Sequence, residues 1–114
     1  MSIIGKLETY IDDEQECFIG VLVAFGKEMK IRITPSGLEN PRAPTHLITL
    51  VGKSFEPQVG SAWLKQPKKP GSKITEFLSL MFDDSNFPEP LNVAAFPKGN
   101  GEWDISWRRR QATA

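Results

Sequence analysis

The chain is poor in the residues that active-site chemistry uses most. It has one cysteine, Cys17, and one histidine, His46. A single cysteine forbids an internal disulfide and so excludes a disulfide-stapled secreted scaffold. A charge excess is also missing, because fourteen basic side chains balance fourteen acidic ones. Proteins that bind nucleic acid through bulk charge carry a basic surplus, so any such role must rest on a local patch. No apolar stretch approaches the roughly 20 residues that span a bilayer, and no membrane role is expected. The opening MSIIGKLETY lacks a basic segment followed by a long apolar run. A signal peptide is therefore not expected, and a cytoplasmic location is the simplest expectation. Sustained helical periodicity, a P-loop, a dinucleotide fingerprint and metal-ligand spacings are all absent.

What is present is alternation with period two, punctuated by turns. Nine prolines and nine glycines in 114 residues favour frequent turns over a helical bundle. From Cys17 to Phe25 one face carries Cys17, Ile19, Val21, Val23 and Phe25, and the other Phe18, Gly20, Leu22 and Ala24. A strand of that kind suits cover on both sides. Gly26-Lys27 is expected to turn into a second strand, Met29 to Thr34, and Ile3 to Tyr10 is expected to partner the first. PSGLENPRAPT at 35–45 holds three prolines and reads as a loop. Further strands are expected over Leu47–Val51, Val59–Lys65, Ile74–Phe82, Leu91–Phe96 and from Trp103 to Arg108. A helical turn in 36–42 or 84–88 is allowed but not required. The predicted fold is all-β, a single antiparallel sheet of about seven or eight short strands curled into a barrel-like or sandwich core. One domain is expected over 1–110, with a frayed tail at 111–114. Trp63, Trp107, Phe77 and Phe82 are the large residues expected to fill the core, and an edge strand is expected to offer a route to a homodimer.

Candidate chemistry is thin. Asp83-Asp84 sits before Ser85, Asn86 and a proline, so a turn that caps backbone amides explains it better than a metal pair. Cys17 lies in an apolar alternation and reads as a core residue. His46 has no partner at catalytic or zinc spacing. No catalytic residue, metal or cofactor is assigned. The most informative surface feature is the run Lys65, Lys68, Lys69, Lys73, with no acid between, joining strands that carry Trp63 and Phe77. Arg108, Arg109 and Arg110 form a second basic run. If the two runs converge, cations beside aromatic faces make the combination used for single-stranded nucleic acid. The competing reading is a solvated loop whose lysines and prolines protect a sheet edge. Trp103, preceded by Gly101-Glu102 near the strand start, is the tryptophan expected to be exposed, and with Trp63 it is a candidate for stacking.

Several segments together resemble a known family. They are Ile4-Gly5, Phe18-Ile19-Gly20, Asn40-Pro41-Arg42-Ala43-Pro44, Val59-Gly60-Ser61-Ala62-Trp63-Leu64-Lys65, the block Leu78 to Pro90 and the close Trp107-Arg108-Arg109. In these the chain resembles the bacterial family known as domain of unknown function 736, over roughly residues 3–109. It departs from the family pattern at Thr45-His46-Leu47 and in longer loops near 53–57 and 66–73. The resemblance implies a soluble proteobacterial protein, often encoded on plasmids and integrative elements, and it supplies no catalytic residue. The resulting expectation is a non-enzymatic nucleic-acid-binding accessory protein of a mobile element, acting on single- or double-stranded DNA. The alternative is a protein–protein interaction module, such as an inhibitor or transfer accessory.

Overall fold

Two short turns set the register of the first three strands. In a computed structural model, which describes residues 2–66, 76–85 and 87–107, β1 (Ser2–Asp12) passes to β2 (Gln15–Ala24) through Asp13 and Glu14. Both have positive φ, 52° and 63°, which is type I′ geometry and matches the twist of the strands it joins. Phe25 and Gly26, at φ 52° and 76°, make a second such turn into β3 (Lys27–Pro35). The turn therefore falls one residue earlier than the sequence suggests. Phe25 leaves the strand face and takes a left-handed backbone that costs a non-glycine residue roughly 1–2 kcal/mol.

The remaining strands are β4 (His46–Leu50), β5 (Gln58–Lys65), β6 (Phe77–Phe82), β7 (Leu91–Pro97) and β8 (Glu102–Trp107). Each pairs antiparallel with the next, and β8 pairs back onto β1 to close an eight-stranded barrel. The all-β expectation is met, and closure decides for the barrel. No helix occurs among the described residues. Closure also leaves no free edge among the eight strands.

Alternation decides what lies inside. Leu7, Leu22, Ile31, Ile33, Ile48 and Ile105 are wholly buried in the lumen, each on the inward phase of its strand. On β2 the inward set is Phe18 and Leu22, while Val21 and Val23 are 37% and 49% exposed on the outer face. Cover on the outer face is confined to the start of the strand, where Cys17 is buried. At Gly20 the first two strands approach so closely that a Cβ would collide with the carbonyl oxygen of Lys6 and the Cα of Leu7. Of the four residues expected to fill the core, Phe82 does so. Trp107 packs against the core from its rim. Trp63 and Phe77 lie outside, paired across β5 and β6 with Ser79 and Lys65 respectively.

Strand direction gives the barrel two distinct ends. One gathers the β1–β2 turn, the 36–45 loop, the end of β5 and the β7–β8 turn. The other gathers the N-terminus, the Phe25-Gly26 turn, the 51–57 and 83–90 segments and the end of β8. Phe87 plugs this second end, stacked on Phe82 at 5.2 Å between ring centroids.

Candidate nucleic-acid interface on the outer wall

The outer faces of β5, β6 and β7 near the first end carry a row of rings. Lys65 pairs with Phe77 across β5 and β6. Phe77 and Phe96 stack across β6 and β7, with centroids 5.7 Å apart and planes 28° apart. Trp63, two residues before Lys65 on the same face, is the diagonal neighbour of Phe77, at a typical Cα separation of roughly 7–8 Å. All three rings are half-buried. They offer faces to solvent while their backbones sit in a fixed sheet.

The 36–45 loop brings a second cation to this row. Asn40 fixes the loop by accepting from the Arg42 amide at Oδ1 (2.9 Å) and from the Ala43 amide at its carbonyl (2.9 Å). Thr45 ties the loop to β5, since its hydroxyl accepts from the Leu64 amide at 2.8 Å and donates to the Ala62 carbonyl at 3.3 Å. The Trp63 indole N–H then donates to the Arg42 carbonyl at 3.5 Å. Arg42, whose carbonyl meets Trp63, and Lys65 are both exposed, and no ion pair among the described residues takes up either one. Lys98 differs. It lies 3.9 Å from carboxylate oxygens of both Glu102 and Asp104, so its charge is largely spent within the fold. Arg32 is also committed. Its guanidinium donates to the Tyr10 hydroxyl at 2.9 Å and to Glu56 at 3.0 Å, and these bonds raise its pKa further.

The structure separates the residues singled out from sequence. Trp63 and Lys65 share the outer face of β5. Trp103 does not join them. It is 4% exposed, on the inward phase of β8, with its indole N–H donated to Thr9 Oγ1 at 3.1 Å and its ring edge-on to Phe18 at 5.2 Å. The expected exposure of Trp103 is therefore wrong, and a base cannot stack on it. Lys68, Lys69, Lys73, Arg108, Arg109 and Arg110, with the 111–114 tail, lie outside the described residues. The strands from which the two basic runs depart end at opposite ends of the barrel, β5 at Lys65 and β8 at Trp107. Arg42 and Phe96 were missed. The pairing of Phe96 with Phe77 follows once the β6–β7 register is known, and Arg42 is placed by the turn that Asn40 caps.

The other candidates settle into structural places. Cys17 is buried, and its neighbour Phe18 points to the opposite side of β2. His46 packs against Phe18 at 5.8 Å, away from the thiol, so the two do not form a dyad. Burial holds the His46 imidazole below its ordinary value of 6.5. The Asp84 carbonyl accepts from the Phe87 amide at 3.0 Å, closing a turn. Among the described residues no cluster of three His, Cys, Asp or Glu side chains is arranged to hold a metal ion.

Fold and surface define a small, closed, up-and-down antiparallel barrel with a row of half-exposed rings on its outer wall. Residues 4–110 match the family described as "Protein of unknown function (DUF736)", and the chain belongs to that family. No curated protein and no solved structure matches it.

Proposed function

We propose that the barrel is a non-enzymatic nucleic-acid-binding protein that lays single-stranded DNA along Trp63, Phe77 and Phe96, with Arg42 and Lys65 on phosphates. The observation that carries this reading is the ring row flanked by two cations that no described acid neutralises. Half-exposed rings in a rigid sheet stack unpaired bases at about 1–3 kcal/mol per base, while a paired duplex hides its base faces. In the sequence Lys68, Lys69 and Lys73 follow Lys65. Zero net charge supplies no general attraction to phosphates, so binding would rest on this patch alone. The resemblance to proteins of mobile elements supports a role where single strands are exposed during transfer or replication.

The test is fluorescence anisotropy of a labelled oligonucleotide with the full chain across a salt series. Binding to single-stranded DNA is expected to exceed binding to duplex and to weaken steeply with salt. Arg42→Ala and Lys65→Ala should each lower the salt slope by about 1. No binding at low salt would end the proposal. A protein-interaction role is the second reading, favoured by the exposed Val21 and Val23 on the far wall.

A further inference from the structure

The second end of the barrel holds a half-open, mostly apolar pocket of about 250 Å³, lined by Ile4, Val23, Phe25, Glu89, Leu91 and Trp107. Three observations mark it as more than a packing gap. Phe25 stands in the left-handed region, at φ 52°, in a turn position where asparagine or aspartate fits without strain. Its ring is nevertheless held edge-on to Phe87 at 6.1 Å and stays 42% exposed. A strained backbone that displays a half-exposed ring is a reason to look for a ligand. Among the described residues Glu89 is the only charged group of the lining, and no ion pair takes it up. Pro88 and Pro90 flank it, and their fixed φ restricts the backbone that carries it.

We propose that this cavity receives one lysine or arginine side chain of a protein partner, with the aliphatic stem among Ile4, Val23 and Leu91 and the cationic head at Glu89 beside the Phe25 and Trp107 rings. The volume lies below the range of about 300–1,000 Å³ typical of drug-sized ligand pockets, and it suits a single long side chain. The charge of Glu89 and the negative ring faces both select a cation over a neutral group. The site stands at the end of the barrel opposite the Trp63 row, so it is independent of nucleic-acid binding.

The test uses n-butylguanidinium as the probe, titrated into the isotope-labelled full chain while the Trp107 indole N–H signal is followed by NMR. Two comparison probes are n-butanol, which has the stem without the charge, and methylguanidinium, which has the charge without the stem. The expected result is a saturable shift of the Trp107 signal with n-butylguanidinium and at least tenfold weaker binding of both comparison probes, a difference of about 1.4 kcal/mol. Glu89→Gln, at an exposed position, should reduce affinity for the cation to that of n-butanol. Phe25→Asn, which suits the turn, should keep the fold and lose the binding. Equal binding of n-butanol, an unchanged affinity in Glu89→Gln, or no shift at Trp107 with any probe would overturn the proposal.

Discussion

Trp63 and Trp103 stand in the same kind of place and meet opposite fates. Each lies on a strand with apolar and polar residues in alternation, and each donates its indole N–H, to the Arg42 carbonyl and to Thr9 Oγ1 respectively. Trp103 lies on the inward phase of β8 beside Ile105 and fills the lumen against Phe18. Trp63 lies on the outward phase of β5, between Ala62 and Leu64, and rests on the wall. In a closed barrel, phase relative to the lumen decides whether a ring supports the fold or faces a partner. Residue type and immediate neighbours do not.

The comparison breaks if the two tryptophans respond alike to substitution. Trp103→Ala is expected to destabilise the barrel by about 3–5 kcal/mol, the usual cost of removing a large core ring, read from urea denaturation midpoints. Thr9→Val keeps the ring but leaves its N–H buried without a partner, and about 1–3 kcal/mol of destabilisation is expected. Trp63→Ala should cost less than about 1 kcal/mol in stability, in keeping with partly exposed sites. Its expected effect is instead a loss of about 1–3 kcal/mol in single-strand binding. The smallest effect concerns His46, which packs on Phe18, the same ring that Trp103 meets edge-on. Burial lowers its pKa below 6.5, so the unfolded chain takes up the proton first as pH falls. Stability is therefore full above about 6.5 and declines as pH drops through that value toward the lower folded-state pKa. His46→Gln should flatten that part of a stability–pH profile.

Much of the architecture was legible because short alternating strands and turn residues carry local signals. The strand segments, the absence of helix among the described residues and the single sheet follow from period-two patterning in 17–25, 29–34 and 77–82. Closure did not follow, since the pairing of Ser2 with Trp107 spans nearly the whole chain and no local pattern encodes it. Phase was equally hidden. Phe77 alternates as cleanly as Phe82, and only the barrel axis tells which ring is inside. On β2 the pattern reads apolar on both sides, yet Val21 and Val23 face outward. Of the proposed interface, Trp63 and Lys65 were readable as a ring beside a cation. Arg42 was not, because it arrives from a proline-rich loop folded back by Asn40 and Thr45.

The most direct test follows the three indole N–H signals of the full chain by NMR during titration with a single-stranded oligonucleotide. The Trp63 signal should shift and saturate while that of Trp103, sealed in the lumen, stays in place. A silent Trp63, or a Trp103 signal that moves with the ligand, would contradict the division of this barrel into a supporting interior and a binding outer wall.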